Sequence, residues 1–288
     1  MDETGTERLS RGLADRHDVP APRSSEAGRY LRIYLAFVRN CLIREMEFRG
    51  HFFFMVGTKV LWSVLSLALI CVIFGQVPRV AGWTFEQMLV LTGTYLLIIG
   101  LANIFFFPNM AKLSEYVNQG NLDFVLIRPL SSQFLVSARY IAFNEIPALG
   151  VSAAYVVYGL IRGGIVPSLG QVLIYLVFIA VALTIIYAAW FLVVTTVIWS
   201  GRIQNIQYLM FPFLEMARVP TDVFLGVLRP LLTFVLPIAF VSTVPAQALL
   251  GLLDPVVAGY GVGLAGTLLL AGRAVWRLAI RHYSSASS

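Results

Sequence analysis

The chain carries few residues in the arrangements that enzymes use for chemistry. It contains no G-x-x-x-x-G-K-S/T phosphate loop, no H-E-x-x-H zinc motif and no G-x-S-x-G nucleophile motif. Gly261, Gly263 and Gly266 match G-x-G-x-x-G, but no strand precedes them and no acidic ribose partner follows. We interpret that match as accidental. The sequence therefore predicts no catalytic site and no cofactor bound by the chain itself.

The metal-ligating and thiol residues are equally sparse. His17, His51 and His282 are far apart in the sequence and form no cluster with metal-ligand spacing. Cys41 lies in an amphipathic segment and Cys71 in an apolar one, so they indicate neither a disulfide framework nor a zinc site. We expect no metal.

A few ionisable residues lie inside or at the edge of apolar stretches, where charge is costly and function is the default hypothesis. We expect Lys59 to extend toward the interface, and Glu145 to pair with Arg139 or to meet lipid headgroups. Glu215 and Arg218, three residues apart, are expected to form a local pair. The carboxylate relay of a proton-driven carrier is not visible.

The composition indicates the class of protein that holds these residues. Of 288 residues, 58% are hydrophobic and 12% charged, with a mean hydropathy of +0.80, whereas soluble domains are about 25% charged. The net charge of +6 comes from 21 basic and 15 acidic residues. Most bases flank apolar stretches, as cytosolic anchors do, which argues against nucleic acid as a partner. We predict an all-α polytopic membrane protein in contact with the lipid bilayer.

The two ends of the chain are polar. Residues 1–28 are charged and poor in aromatics, which predicts a disordered cytosolic tail, and 282–288 form a second short tail. Between Arg29 and Arg49, apolar residues recur at helical spacing among arginines, as in a helix lying on the membrane surface. The alternative is a polar lead-in to the first span. The apolar positions are Leu31, Tyr34, Leu35, Val38, Leu42 and Met46.

The membrane-spanning domain is predicted over residues 29–281. A span needs about 20 apolar residues, and we predict six spans: 51–74, 88–107, 140–161, 171–200, 203–218 and 256–272. The number is even because basic residues cluster at both ends of the chain, which places both termini in the cytosol. Residues 220–250, with four prolines, are predicted to form an outer re-entrant hairpin; the alternative is a crossing by 223–244. In the last span, Gly259 and Gly263 have the G-x-x-x-G spacing of closely packed helices.

The predicted cytosolic loop, 108–133, carries the most specific pattern. Met110–Asn118 is compatible with a helix that Gly120 would end in a left-handed conformation. Gly120, Leu122, Asp123, Leu126, Arg128 and Pro129 match, in order, the pattern G-x-L-D-x-x-L-x-R/K-P. In this loop the chain resembles the permease subunits of ABC-2-type exporters. The segment 220–250 resembles the outer helices of the same branch at Pro220, Phe224, Leu228, Arg229, Leu236, Pro237 and Pro245.

The resemblance, which covers about Arg29 to Arg281, implies a function. It implies an elbow helix, six spans and a coupling helix that contacts separate ABC ATPase subunits, two per complex, which bind the ATP. A second permease, the same or homologous, would complete a dimer in a bacterial-type plasma (inner) membrane. The importer signature E-A-A-x-x-x-G is absent, so export of an amphiphilic or lipid-like substrate is favoured. The candidate ATPase-coupling residues are Lys112, Glu115, Gly120, Leu122, Asp123, Arg128 and Pro129.

Two other readings of the sequence stay open. A secondary carrier or channel would need no ATPase, and a membrane-bound enzyme or scaffold would need no transport path. The alternative for the loop is that it only connects two spans and contacts no ATPase.

The basic residues at both ends predict cytosolic termini. In a variant without native cysteines, a cysteine introduced at Ser24 or at Ser288 should resist a membrane-impermeant maleimide in intact cells and react after the membrane is opened. Labelling of either position in intact cells would contradict the even number of spans.

Overall fold

The computed structural model describes residues 26–47, 49–200 and 206–282. In these ranges the chain is helical and has no strand beyond one isolated bridge between Val80 and Trp83. The all-α prediction is confirmed there. Most of the predicted N-terminal tail, the last six residues and the beginning of the predicted fifth span (203–205) lie outside the described residues.

The helices follow one another with short connections. In chain order they are α1 Glu26–Glu47, α2 Arg49–Gln76, α3 Phe85–Phe105, α4 Phe107–Asn118, α5 Asp123–Leu126, α6 Ser132–Ala138, α7 Ile146–Arg162, α8 Leu169–Thr195, α9 Val197–Ser200, α10 Ile206–Glu215, α11 Leu228–Pro230, α12 Thr243–Leu250 and α13 Pro255–Arg281.

Five helical segments in the described ranges are long and apolar enough to cross a membrane. They coincide with five of the predicted spans, although the last is longer than predicted. Capping boxes begin two of them, at Thr84 before α3 and at Ser168 before α8, where side chains satisfy the free N–H groups of the first turn. The spanning segments are Phe52–Gln76, Phe85–Phe105, Phe143–Arg162, Leu169–Trp199 and Pro255–Arg281.

The predicted fifth span is shorter than a membrane crossing in the described residues. α10 has 10 residues, with Pro212 inside it, and at 1.5 Å per residue it is about 15 Å long. A 3₁₀ turn, Met216–Arg218, follows it. The six-span count therefore stays a prediction.

The predicted outer hairpin is a series of short helical pieces. α11 continues into a π-helical turn, Leu231–Val235, and a 3₁₀ turn, Ile238–Val241, precedes α12. The segment is joined to the start of α3: Trp83 Nε1 donates to Asp222 Oδ2 at 2.9 Å, and Arg229 pairs with Asp222 at 2.5 Å. Whether the segment enters and leaves on one face also stays a prediction.

Glycine makes α3 and α7 the closest helix pair. A Cβ atom on Gly93 would lie 2.8 Å from the Ser152 carbonyl oxygen, and one on Gly159 would lie 2.8 Å from the Glu86 carbonyl oxygen. Gly100 approaches Leu149 in the same way. Small residues let backbones approach closely where lipid supplies no hydrophobic drive. This pair is the packed centre of the described bundle.

The last helix uses a different glycine from the two that the spacing singled out. A Cβ on Gly261 would lie 2.2 Å from the Phe240 ring, which packs against α13. Gly259 and Gly263 have nothing within 4 Å of such a Cβ in the described chain. The described residues therefore show no close contact at either glycine, and the predicted packing role of this pair stays a prediction.

α1 presents two apolar edges. One edge packs against Ile104, at the end of α3, and against Ile141, between α6 and α7. This edge consists of Tyr34, Val38 and Cys41. Leu31, Leu35 and Leu42 are 59%, 54% and 43% exposed. The predicted helix is present, with one apolar edge on the protein and another left open.

The α3–α7 contact predicts a stability difference between two glycines of α7. Gly159→Ala would push a methyl group into a backbone carbonyl, so we expect it to lower the free energy of unfolding by about 1–3 kcal/mol and to lower the Tm in detergent. Gly150→Ala is the control, since its Cβ would meet nothing within 4 Å, and it should leave the Tm unchanged or slightly higher. Equal Tm values for the two variants would contradict close packing at Gly159.

Candidate coupling site

The loop between α3 and α7 begins as a helix and ends that helix with a defined turn. Gly120 has a φ of 70°, the left-handed conformation that glycine adopts at little cost. Its N–H donates to the Val117 carbonyl at 3.2 Å, and the Asn121 N–H donates to the Tyr116 carbonyl at 2.8 Å. These two bonds form a complete Schellman motif. The predicted role of Gly120 in ending the helix is confirmed.

The turn after Gly120 is amphipathic. Leu122 is 0% exposed and belongs to the main core, together with Val125. Leu122 therefore anchors the turn and has no surface to offer a partner in this conformation. Phe124 and Ile127, in contrast, are 63% and 77% exposed. Two large apolar side chains thus project from a predicted cytosolic loop, and the family pattern did not include either of them.

The charged candidates of the loop lie at its surface. Lys112 and Glu115 form an ion pair of 2.5 Å, and both side chains are about two-fifths exposed. Asp123 is the first residue of α5, and Arg128 is exposed after its end. The structure therefore does not gather these residues into one compact cluster. It places one pair on α4 and the others around the turn.

A buried asparagine closes the loop. Asn109, which is 0% exposed, donates from Nδ2 to the Phe105 and Tyr140 carbonyls, both at 2.7 Å, and accepts from the Tyr140 N–H at 2.8 Å. These bonds join the end of α3 to the start of the segment that leads into α7. The two ends of the loop are therefore held side by side.

A tyrosine pair adds a second link. The hydroxyls of Tyr116 and Tyr140 are 2.7 Å apart, and Arg139 Nη1 donates to Tyr116 at 3.3 Å. Burial, together with the hydrogen bond to Tyr140, raises the pKa of Tyr116 to about 12. Tyr116 therefore stays protonated at physiological pH and keeps this link.

The far end of the loop is braced by the first and last helices. Arg29 Nη2 donates to the Pro129 carbonyl at 2.9 Å, and the Ser131 N–H donates to the Tyr30 hydroxyl at 3.1 Å. From α13, Trp276 Nε1 donates to Ser132 Oγ at 3.3 Å. The candidate residue Pro129 thus contributes its carbonyl to this brace.

The ionisable residues inside the bundle form two pairs. Glu145 pairs with Lys59, 86 positions earlier, and the Lys59 nitrogen is buried. The expectation that Glu145 pairs with Arg139 or with headgroups is wrong, because its partner is Lys59. That Lys59 extends toward the interface stays a prediction. The α2 and α7 segments meet here, and mutual neutralisation of two buried charges costs less than exposing either to lipid.

Glu215 and Arg218 form the predicted local pair, with Nε 2.5 Å from the carboxylate. The Arg218 side chain is about half exposed and also approaches an aromatic ring of α3. Its guanidinium carbon is 5.8 Å from the centre of the Tyr95 ring, and Tyr95 is at the middle of α3. Among the described residues, no group of three or more His, Cys, Asp and Glu could hold a metal ion.

The comparisons with known proteins bear on the whole chain. Residues 60–287 match the family model described as ABC-2 family transporter protein. Neither a characterised protein nor a solved structure matches the chain. The family match covers all five spanning segments almost completely, along with the loop between α3 and α7. The chain therefore belongs to the ABC-2 family of transporters, as a membrane-spanning permease component.

Proposed function

We propose that the chain is the permease subunit of an ATP-driven exporter and that α4 and α5 receive the motion of a separate ABC ATPase. The exposed apolar pair on α5 carries the proposal, because Phe124 and Ile127 lie on a turn whose other face is anchored in the core. Large apolar side chains on a predicted cytosolic surface favour a protein partner. Two ATPase subunits per complex and a second permease complete the proposed assembly.

The loop is built to transmit force. α4 begins directly after α3, separated only by Phe106, and Asn109 joins this junction to the entry of α7. A displacement of α5 by a closing ATPase pair would therefore reach two spanning helices at once. An unconstrained connector would instead absorb the displacement within itself.

The direction and substrate of transport are proposed from the sequence. The absent importer signature favours export, and an amphiphilic substrate agrees with a path through a largely apolar bundle. A secondary carrier is the second candidate, because two carboxylates, the largely buried Glu145 and the half-exposed Glu215, lie in or beside apolar segments. Each is paired with a cation, which leaves the ATP-driven reading better supported.

The apolar pair on α5 predicts a loss of partner binding. Burying one large apolar side chain contributes about 1.5–3 kcal/mol, so Phe124→Ala with Ile127→Ala should weaken ATPase association at least about 10-fold. The measurement is the amount of ATPase retained when the complex is purified through a tag on the permease.

The matched control is Val166→Ala with Leu169→Ala. These side chains are 92% and 76% exposed at the opposite end of α7 and α8. This variant should retain the ATPase fully. If the two double variants retain the same amount, α5 is not the docking surface.

The turn geometry predicts a loss of coupling. Gly120→Val forces a branched side chain into a left-handed conformation, which costs about 1 kcal/mol or more, and should lower substrate-stimulated ATP hydrolysis in lipid. Asp123→Ala and Arg128→Ala should lower it without reducing membrane insertion. The matched control is Gly164→Val, which has a similar φ of 61° in the loop between α7 and α8. Parental hydrolysis and transport in all three loop variants would leave this loop as a connector only.

A further inference from the structure

Two adjoining chambers run along the interface between α2 and α3. The first has a volume of about 160 Å³ and the second about 150 Å³. Both are lined by Ser66, Leu96 and Arg218, so they meet at the Arg218 side chain. We call them the polar chamber and the apolar chamber of the α2–α3 cleft.

The two chambers differ in chemistry. The polar chamber is lined by Lys59, Asn103, Glu145 and three serines, and lies toward the α7 start. The apolar chamber extends toward the end of α2 and the start of α3, where its lining is mostly aliphatic and aromatic. That lining includes Leu69, Ile70, Ile73, Phe74 and Met88. A molecule that fills both chambers must therefore be polar at one end and apolar at the other.

Two cations, Lys59 and Arg218, line the polar chamber, whereas its three serine hydroxyls already donate to carbonyls of their own helices. Apart from its ion pair with Glu145, the buried Lys59 Nζ has no hydrogen-bond partner in the described residues, although an ammonium group has three donors. Arg218 uses Nε and one Nη for Glu215, and a guanidinium has five donors in all. Its side chain is 48% exposed. The only carboxylate that lines the chamber, Glu145, is already neutralised by Lys59.

We propose that the α2–α3 cleft binds an acidic amphiphile. Its anionic oxygens accept from Arg218 and from the unused donors near Lys59, and its apolar chain occupies the apolar chamber. A cationic amphiphile is disfavoured, because the charged lining consists of two cations, Lys59 and Arg218, and one carboxylate, Glu145. The identification of this ligand as the transported substrate rests on the function proposed above. The binding of the ligand to the cleft does not depend on that function.

The shared ligand chemistry is an anionic group on a long apolar chain. Two sources supply it: an exported hydrophobic acid and an anionic lipid of the bilayer. The experiment below separates them by using one probe of each kind.

Trp62 lines the polar chamber and provides a local reporter. The full chain in nanodiscs of neutral phosphatidylcholine is titrated with 9,10-dibromostearate at about pH 9, where a carboxyl group is ionised. Trp62→Phe identifies the quenching that arises at Trp62, which is 62% exposed. The methyl ester is the matched uncharged probe and reports the quenching of Trp62 by probe dissolved in the bilayer. We expect the acid to saturate the Trp62 signal at a concentration at least 10-fold lower than the ester.

The variants remove each cation together with its own carboxylate, because an unpaired buried charge could unfold the chain. Arg218→Gln with Glu215→Gln, and Lys59→Gln with Glu145→Gln, should each weaken acid binding about 10-fold and leave ester binding unchanged. Arg162→Gln removes a cation at the outer end of α7, outside the cleft, and should change neither.

Three results would overturn the proposal: equal binding of acid and ester by the parent, acid binding that both paired variants retain, or quenching that persists in Trp62→Phe. Tighter binding of brominated phosphatidylglycerol than of dibromostearate would support the cleft chemistry and overturn its assignment as the substrate site. These measurements need no ATPase. Suppose that the cleft binds no acid but the complex with the ATPase still hydrolyses ATP in response to lipid. That result would overturn this inference and leave the proposed function unchanged.

Discussion

The close approach of α3 and α7 is the constraint on which the rest of the structure depends. Gly93 and Gly159 bring the two backbones together, so the end of α3 and the start of α7 lie side by side. Asn109 can then bond both to the end of α3 and to the segment that leads into α7. A bulky residue in this contact would separate the helices and release the loop from its anchor. The candidate coupling site thus depends on packing inside the membrane.

Two ion pairs lie in or beside the apolar segments, and they affect how the distribution of basic residues along the sequence is interpreted. Lys59 meets Glu145, and Arg218 meets Glu215, so each pair is neutral overall. Such residues give little information about the orientation of the chain in the membrane, because only basic residues in loops outside the membrane follow the positive-inside rule. Arg218, for example, lies beside Tyr95, at the middle of α3. The clusters at the two ends of the chain keep their weight.

Local patterns in the sequence predicted the features that depend on nearby residues. Length and hydropathy located five spanning segments, and Gly120 indicated a left-handed helix end. Long-range contacts were beyond such patterns: nothing in the sequence near Glu145 indicates Lys59 as its partner. The turn around α5 shows a second limit of sequence patterns. The family pattern includes Leu122, which is buried in the core, and omits Phe124 and Ile127, whose exposure follows only from how α5 packs.

The contact of Trp83 with Asp222 gives α3 a second role. One end of this helix leads into the predicted cytosolic loop, and Trp83, two residues before its other end, bonds to Asp222 in the segment 220–250. Asp222 also pairs with Arg229, so the indole and the guanidinium share one carboxylate. α3 is a continuous helix about 30 Å long. Because a helix resists compression along its axis, a displacement at the loop end of α3 would reach the Trp83–Asp222 hydrogen bond without any relay of side chains between them.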